Sequence, residues 1–421
     1  MNDAEVISLG CRLNAFEGEK IRRLASAAGL SSAVVINSCA VTGEAVRQTR
    51  QMIRRARRKN PAAKIIVTGC AAQIDPTSFA AMAEVDAVLG NREKLSAADW
   101  RALSASGESV RVNDITTVRD AADHLVDGFG DRSRAFLQVQ NGCDHRCTFC
   151  VIPYGRGDSR SAPMADIVEA AERLAEAGHA EIVLTGVDIT SYGADLPGAP
   201  TLGDLVGAIL DGAPSVRRLR LSSIDSAEVD SALFARLTGD DRVAPHLHLS
   251  LQSGADIILK RMKRRHTRAD AIAFCRRVRQ ARPDIALGAD IIVGFPTETD
   301  EDFSKSVSLV DEAGLNFVHV FPFSPRAGTP AARMPQLSRA VIRRRSELLR
   351  AKGQAVLTSF LDGLVGREFD AVIESGGRAR LGNFAPVKLT APAGAAGAIA
   401  RLSIIARDDA MLLGEPLLER R

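Results

Sequence analysis

Aromatic residues are scarce in this 421-residue sequence, where Phe, Tyr and Trp together make up 4% and tryptophan occurs once. Val, Ile, Leu and Ala must therefore fill the interior, as they do where helices cover a parallel sheet. The sequence also has no uncharged apolar run of about 18 residues, and no basic N-terminal patch leads into an apolar segment. These absences exclude a membrane span and a secretory signal, and they predict a cytoplasmic protein.

Disulfide bonds are not expected either. Seven cysteines in a long chain without a secretory signal favour metal ligation, because the cytosol keeps thiols reduced. The hydrophobic content of 46% and the charged content of 25% are ordinary for a folded globular protein. A chain of this length exceeds the size of a single core, so two or three domains are expected.

The net charge of +4 is too small to indicate a partner, but the basic residues are unevenly distributed. The segment 47–59 has seven basic residues and no acidic one, and the segment 260–268 has six, again without an acidic one. Such runs suit a phosphate backbone. The alternative is that each run is the solvated face of a helix.

The first hundred residues alternate short β-rich runs with helical stretches, which predicts an open α/β domain with a parallel sheet. Three of these runs, EVISLG, AVVINS and KIIVTG, end at or just before Cys11, Cys39 and Cys70. The carboxyl ends of parallel strands form one edge of the sheet, where ligands bind. The three thiols should therefore converge.

A second series of six strands with intervening helices begins at AFLQVQ and ends at LNFVHVF, which predicts a partial (β/α)6 barrel. A long helix is predicted over 338–360, and five short strand-like runs after it predict a small all-β barrel. The predicted domains are 1–120, 130–360 and 361–421. The fold class is α/β with a C-terminal all-β barrel.

The segment NGCDHRCTFCVIPYGRG follows the first barrel strand and places cysteines at 143, 147 and 150. Three cysteines can ligate three corners of a 4Fe-4S cluster, and no fourth cysteine follows nearby. An iron without a protein ligand is a position for substrate or cofactor, as in open catalytic metal sites. The alternative is a structural zinc site with a further ligand such as His145.

The spacing C-x3-C-x2-C resembles that of radical S-adenosylmethionine enzymes, and the chain as a whole resembles their methylthiotransferase family. The resemblance covers nearly all of the sequence. It rests on the following strings: GCRLNAFEGEK, INSCAVT, TGCAAQ, NGCDHRCTFCVIPYGRG, LTGVDITSYG, HLHLSLQSG, DIIVGFPTET and FSPRAGTPA.

The resemblance implies two 4Fe-4S clusters, one on Cys143, Cys147 and Cys150 and one on Cys11, Cys39 and Cys70, with S-adenosylmethionine as cofactor. It also implies a C-terminal TRAM barrel that binds RNA. The residues that it suggests as cofactor contacts are Phe149, Gly186, Val187, Asp188, Ser222, Ser223, Gln252, Ile292 and Gly294. The alternative for the polar members of this group is helix capping. Cys275 shows helical spacing with apolar residues and is predicted to lie in the core.

The activity implied by the resemblance is methylthiolation of carbon 2 of N6-threonylcarbamoyladenosine at position 37, in the anticodon loop of tRNA. Asn141 and the neighbouring strings resemble that bacterial branch. The implied partners are tRNA, an electron donor and a sulfur source, with no membrane. The alternatives are isopentenyl-adenosine in tRNA, an aspartate of a ribosomal protein, or a non-enzymatic iron-sulfur RNA-binding sensor. A cationic partner for the threonylcarbamoyl carboxylate could come from Arg156, Arg160 or Arg326.

Overall fold

The computed structural model describes residues 3–105, 109–119 and 133–417. Its N-terminal part is a parallel five-stranded sheet in the order β1-β2-β3-β4-β5, with helices between the strands. The elements are β1 Glu5–Ser8, α1 Arg12–Ala27, β2 Val34–Ser38, α2 Gly43–Lys59, β3 Ile65–Gly69, α3 Cys70–Ile74, α4 Pro76–Ala80, β4 Ala87–Leu89, α5 Ala97–Ala105 and β5 Val110–Arg111. The sequence did not predict β4 and β5, which are only three and two residues long.

The central part contains six parallel strands in two three-stranded sheets, with the orders β10-β9-β6 and β11-β12-β13. Bridges from Leu219 to Val243 and from Ile224 to Leu249 join the two sheets. The elements are β6 Ala135–Gln138, β7 Gln140–Asn141, α6 Ile152–Arg156, β8 Arg160–Ser161, α7 Met164–Glu176, β9 Glu181–Thr185, α8 Leu202–Gly212, β10 Arg218–Leu221, α9 Ser231–Gly239, β11 His246–Gln252, α10 Asp256–Met262, α11 Arg268–Ala281, β12 Ala286–Val293, α12 Asp300–Glu312 and β13 Phe317–Pro322. This arrangement confirms the partial barrel.

Side chains alternate between two environments along the barrel strands. Leu247, Leu249 and Leu251 of β11 pack in the main core beneath the helices, where Cys275 is also buried as predicted. His246 and His248 therefore point to the opposite side, which is the lumen of the barrel. Several helices begin with a threonine capping box, such as Thr299 with Asp302 at α12, which fixes where each loop ends.

A long helix, α13 Arg339–Asp362, leads into a closed barrel of five strands in the order β14-β15-β16-β18-β17. These strands are β14 Glu368–Glu374, β15 Arg378–Leu381, β16 Pro386–Leu389, β17 Ile399–Asp408 and β18 Met411–Pro416. The barrel is the predicted TRAM-type fold. Within the described residues, no helix has the length and apolarity that crossing a membrane requires.

The three parts of the chain meet at the ring of Phe384, in the turn between β15 and β16. Guanidinium groups approach this ring from Arg12 of α1 at 5.7 Å and from Arg220 of β10 at 5.0 Å. His246 of β11 stacks on it with a centroid distance of 4.8 Å. The C-terminal barrel is therefore packed against the floor of the central lumen.

Candidate active site

The N-terminal thiols lie at one edge of the parallel sheet, as the strand pattern predicted. Cys11 precedes α1, Cys39 directly follows β2, and Cys70 begins α3 directly after β3. Gly10 has a φ of +91°, and a Cβ there would come within 2.7 Å of the Cys39 Sγ. Any residue larger than glycine at position 10 would therefore collide with Cys39.

The three thiols differ in exposure. Cys39 and Cys70 are buried, whereas Cys11 is exposed at the rim. Burial raises the pKa of Cys39 to about 11, so its thiol stays protonated at neutral pH unless a metal replaces the proton. Asn91 donates its Nδ2–H to the Cys70 Sγ at 3.7 Å. All three cysteines are free of disulfides, and their soft sulfur donors are the ligands that iron-sulfur clusters require.

Cys143, Cys147 and Cys150 lie in the loop between β7 and α6, and each is partly buried. Thr148 anchors this loop by donating its backbone N–H to the Met262 carbonyl at 3.2 Å and its hydroxyl to the Arg261 carbonyl at 2.8 Å. Burial raises the pKa of Cys150 to about 11. The loop is therefore a fixed part of the barrel mouth.

The spacing of the thiols argues against a single zinc ion. A tetrahedral zinc site with Zn–S bonds of about 2.3 Å holds its sulfurs about 3.8 Å apart. Among the described residues, the three-ligand groups whose atoms all lie within 4.8 Å are Cys143 with His145 and Asp188, and His248 with Asp290 and His319. Neither cysteine triplet is that compact, so neither is arranged around a single zinc ion.

His145 is paired with carboxylates rather than free to bind a metal. Its Nε2 lies 2.8 Å from the Asp188 Oδ2 and 3.6 Å from the Glu228 Oε1. These contacts, with Asp188 first, raise the pKa of His145 to about 10. His145 therefore serves as a hydrogen-bond partner of Asp188 and Glu228 beside the cysteine loop.

The two cysteine groups meet across the junction of the N-terminal and central parts. A Cβ on Gly155 of α6 would lie 3.2 Å from the Cys70 Cβ. The Asn91 Nδ2 contacts both the Cys70 sulfur and the Gly155 carbonyl, the latter at 2.5 Å. Negative charge on Cys70 would also raise the pKa of Cys150, which indicates that these sulfurs are near neighbours.

A buried ionic network underlies this junction. Arg156 Nη1 lies 2.8 Å from the Glu17 Oε1, and Lys94 Nζ lies 2.6 Å from the Glu17 Oε2. Burial opposes ionisation of Glu17, but Arg156 and Lys94 outweigh it and lower its pKa to about 2. Arg156 is therefore fully engaged inside the protein, and its suggested role as a substrate contact is wrong.

Arg160 is likewise unable to contact a substrate, because it is buried and donates to the carbonyls of Arg156 and Asp158. Arg326 differs from both. It is half-buried near Cys39, and its Nε has no hydrogen-bond partner among the described residues. A Cβ on Gly43, the first residue of α2, would be 3.7 Å from the Arg326 Nη1. Of the three suggested arginines, only Arg326 remains accessible near the thiols.

A cavity of about 170 Å³ lies between the N-terminal part and the mouth of the barrel. Three of the suggested cofactor contacts line it, namely Phe149, Gln252 and Ile292. Thr42, close to Cys39, lies on the other wall, so residues adjacent to both cysteine groups face the same space. Its lining consists of Val41, Thr42, Phe149, Gln252, Asp290, Ile292, Phe321, Pro322, Phe323 and Ser324.

The other suggested contacts lie elsewhere around the barrel mouth. Gly186, Val187 and Asp188 follow β9, and Asp188 Oδ2 is 3.7 Å from the Cys143 Sγ. Ser222 is buried at the end of β10, whereas Ser223 is exposed. Gly294 donates its N–H to the Glu298 carboxylate at 2.8 Å, so that amide is already used within the protein.

Two site residues were not found from the sequence. Gln140 accepts the backbone N–H groups of Val187 and Asp188 on its Oε1, at 3.0 and 2.9 Å, and so ties the β9 loop to the cysteine loop. Arg264 donates to the Cys147 Sγ at 3.8 Å and to the Asp225 carboxylate at 2.8 Å. Gln140 lies three residues before Cys143, but a glutamine there carries no signal of its own.

The two basic runs have different structural roles. On α2, Arg54, Arg55, Arg58 and Lys59 are exposed along one face, opposite the buried Ile53 and Ala56. In the run 260–268, three of the six basic residues form ion pairs with acidic residues of the barrel. These three are Arg264, Arg265 and Arg268. The interpretation of that second run as a phosphate-binding surface is therefore wrong for half of its members.

Comparisons with known proteins agree with this architecture. Residues 137–310 match the family model described as the Radical SAM superfamily, and residues 3–90 match the one described as Uncharacterized protein family UPF0004. The solved structure of the radical S-adenosylmethionine methyltransferase TsrM from Kitasatospora setae covers 74% of this chain and 66% of its own, with a TM-score of 0.53 and 16% identity. At that identity the likeness shows the fold alone. The fold and the cysteine groups together define a radical S-adenosylmethionine enzyme that uses 4Fe-4S clusters.

The closer relationships are with methylthiotransferases. The threonylcarbamoyladenosine tRNA methylthiotransferase MtaB of Rickettsia prowazekii is 49% identical over 91% of this chain and 91% of its own length. The protein of the same name from Bacillus subtilis is 37% identical over 78% and 74%. A tRNA-2-methylthio-N(6)-dimethylallyladenosine synthase from Novosphingobium aromaticivorans is 35% identical over 89% and 87%. The chain therefore belongs to the methylthiotransferase family, as the sequence motifs predicted.

Proposed function

We propose that this enzyme methylthiolates carbon 2 of N6-threonylcarbamoyladenosine in tRNA, next to the anticodon. The observation that carries the proposal is the close approach of the two cysteine-bearing domains, with Gly155 of the barrel against Cys70 and with Thr42 and Phe149, sequence neighbours of the two cysteine groups, lining one cavity. A reaction that joins a sulfur group to an activated carbon needs the source of the radical and the source of the sulfur within reach of the same substrate atom. The names of the MtaB relatives support the threonylcarbamoyl target over the isopentenyl one.

We propose that Cys143, Cys147 and Cys150 hold one 4Fe-4S cluster and that Cys11, Cys39 and Cys70 hold the other. With S-adenosylmethionine bound, such clusters supply the radical that activates a carbon-hydrogen bond and the sulfur that is transferred. The residues of the chain provide orientation and protection. Partial burial of the thiols limits access of water and oxygen.

Electrostatics and hydrogen bonds complete the proposed site. Arg156, although not a substrate contact, places a permanent cation below the N-terminal cysteines, where it favours the thiolate form. Gln140 fixes the loop from Gly186 to Asp188, and we assign Gly186, Val187 and the side chain of Asp188 to the methionine end of the cofactor. Phe149, Ile292 and Gly294 remain the proposed adenine side, and Ser222, Ser223 and Gln252 the candidates for ribose and carboxylate contacts.

The domain assignment that accompanies this function has the boundaries 1–120, 130–360 and 361–421. We propose that the N-terminal and central domains share the chemistry and that the C-terminal TRAM barrel binds RNA. A nucleotide in a single-stranded loop is unstacked at lower cost than one in a helix, which favours the anticodon loop as the substrate. An electron donor and a source of sulfur are the further partners that the reaction requires.

The substrate can be tested directly. The anaerobically reconstituted enzyme is given tRNA that carries threonylcarbamoyl-adenosine and, separately, tRNA that carries isopentenyl-adenosine, and the digested nucleosides are analysed by mass spectrometry. We expect the methylthio product from the first tRNA. Product from the isopentenyl form alone would refute the assignment and leave the reaction class intact. Binding of tRNA without any turnover of S-adenosylmethionine would favour an iron-sulfur RNA-binding sensor instead.

A further inference from the structure

A chain of three polar side chains runs through the barrel lumen beside the cavity. It comes from three neighbouring strands, with His248 on β11, Asp290 on β12 and His319 on β13. The His248 Nε2 lies 2.6 Å from the Asp290 Oδ1, and the His319 Nδ1 lies 3.3 Å from the same oxygen. All three belong to the lumen face, because their sequence neighbours pack in the core beneath the helices.

The exposure of these three side chains falls steadily from the edge of the barrel toward its interior. The side chains of His319, Asp290 and His248 are 58%, 23% and 10% exposed. The strand β13 is an edge of the partial barrel, so His319 stands at its lateral opening. Asp290 is the member that lines the 170 Å³ cavity. A group entering from the side would therefore meet His319 first and Asp290 next.

The hydrogen bonds within the chain determine which atoms remain for a ligand. Asp290 uses Oδ1 for both histidines, which leaves Oδ2 as an acceptor. His319 points its Nδ1 at Asp290, and in a neutral imidazole whose Nδ1–H donates, the Nε2 carries the lone pair and accepts a hydrogen bond. The histidines hold Asp290 ionised, since their hydrogen bonds outweigh burial and lower its pKa to about 2. The free atoms therefore offer two acceptors side by side, one of them anionic.

A further polar side chain on the lumen face lacks a hydrogen-bond partner in the described part of the chain. Gln138 of β6, on the other sheet of the same lumen, is fully buried, and neither its Oε1 nor its Nε2 has a hydrogen-bond partner among the described residues. Leu137 beside it packs in the main core, so the amide of Gln138 faces inward. A buried amide without partners is costly unless a ligand or water satisfies it.

We propose that His319 and Asp290, with His248 as a positioning residue, form a specificity site for the urea group on N6 of the substrate adenosine. In this arrangement the Asp290 Oδ2 accepts one urea N–H, and the His319 Nε2 accepts the other. This inference rests on the proposed function and names the part of the substrate that these three residues recognise. An apolar isopentenyl group would leave the same atoms unpaired, which is how a polar site rejects an apolar analogue.

The same three residues could be considered as ligands of a divalent cation, but their geometry favours the urea group. The atoms closest together, His248 Nε2 and Asp290 Oδ1, are bonded to each other at 2.6 Å rather than arranged around a common point. A cation there would have to break that hydrogen bond. Metal binding is therefore an outcome that the experiment must be able to reveal.

The test measures binding, so that it does not depend on turnover. The dissociation constants of the reconstituted enzyme are measured for one tRNA with and without the threonylcarbamoyl group. The ratio of the two dissociation constants measures how much the threonylcarbamoyl group contributes to binding. We expect the wild type to prefer the modified tRNA by at least tenfold, and His319→Leu and Asp290→Asn to lose most of that preference, as expected for the loss of a hydrogen bond to a charged group. His319→Gln, which keeps a hydrogen-bond acceptor, should retain part of it.

The matched control is His179→Leu at a buried histidine in the turn before β9, outside the group of His248, Asp290 and His319, and this variant should keep the wild-type ratio. An unchanged ratio in folded His319→Leu and Asp290→Asn would overturn the proposal. So would an equal loss of affinity for both tRNAs, which would indicate a general role in the site. A stoichiometric metal beyond the cluster irons that disappears in His319→Leu would replace the urea site by a cation site. Failure of methylthiolation with the binding preference intact would count against the proposed function alone.

Discussion

Arg156 reaches from the helix after the barrel cysteine loop into the N-terminal domain, where it forms a buried ion pair with Glu17 at 2.8 Å. The same guanidinium donates to the Asn14 Oδ1 at 2.7 Å. These contacts make one side chain the central polar link between the two cysteine-bearing domains. Its removal would leave a carboxylate buried with Lys94 as its remaining cationic partner.

We therefore expect Arg156→Met to be strongly destabilising, by about 3–5 kcal/mol, as found when one member of a buried ion pair is removed. Thermal unfolding of the protein without clusters would measure the loss. Arg146→Met is a suitable control, because Arg146 is largely exposed in its pair with Asp158. Equal effects of the two substitutions would contradict the assigned role of Arg156.

The same network predicts a pH dependence. The pKa of Glu17 is about 2 in the folded protein and near 4.5 when the chain is unfolded. A lowered pKa contributes stability that is fully present above pH 4.5 and is lost as the pH falls toward 2. We expect Glu17→Gln to be less stable than the wild type at pH 7, with the difference shrinking below pH 4.5. A difference that is constant with pH would show that ionisation of Glu17 is not involved.

Iron content tests the two cluster sites. The intact reconstituted protein should carry about eight irons, and replacement of Cys143, Cys147 and Cys150 by Ala should remove about half of them. Cys275→Ala is the control, since that thiol is buried in the core away from both groups, and it should keep the full content. Four irons in the intact protein, or zinc in their place, would contradict two clusters.

The two cysteine groups should also differ in their chemistry. We expect Cys39→Ala to release 5'-deoxyadenosine from S-adenosylmethionine without forming methylthiolated product, and Cys147→Ala to release none. Chromatography of the small molecules and mass analysis of the tRNA would measure the two outcomes. Loss of cofactor cleavage in Cys39→Ala, with the barrel cluster intact by spectroscopy, would refute this separation of roles.

The basic face of α2 should contribute more to tRNA affinity than the C-terminal barrel does. Most of the barrel's arginines are paired, for example Arg380 with Glu374 and Arg401 with Asp370. Arg378 and Lys388 differ, because they are exposed cross-strand neighbours of like charge. We expect Arg54, Arg55 and Arg58 changed to Glu to weaken binding and flatten its salt dependence.

The comparison for this prediction is the double change Arg378→Glu with Lys388→Glu. It is preferable to deletion of the barrel, because deletion would also remove Phe384 from the lumen floor. Electrophoretic binding at two salt concentrations would compare the variants. If the barrel substitutions lower tRNA affinity more than the α2 substitutions do, the TRAM domain makes the larger contribution to binding.

Much of this architecture could be predicted because buried parallel strands have continuous apolar patterns. The nine strands that the sequence placed in the first two domains are all present, and the cysteines follow them as expected. The strands β4 and β5 were missed because two or three residues are too few to show a pattern. The family, the fold class and the cofactors were predicted correctly.

Charged residues were harder to interpret, because sequence alone does not show which of them are paired. The positions of Arg156 and Arg160 after the cysteine motif suggested loop residues facing a substrate, whereas burial and partners in other segments hold both inside. The run 260–268 looked unopposed because its acidic partners, Asp225, Glu228 and Glu312, are distant in sequence. The His248, Asp290 and His319 group gave no signal for the same reason.

The contact between Gly155 and Cys70 has a consequence for how the two domains depend on each other. With the domains docked, the backbone of α6 lies against Cys70, and Asn91 donates to both the Cys70 sulfur and the Gly155 carbonyl. A side chain at position 155 would have to displace Cys70, because even a Cβ there would lie 3.2 Å from the Cys70 Cβ. A substitution in the barrel can therefore disturb a thiol of the other domain without touching any residue of that domain.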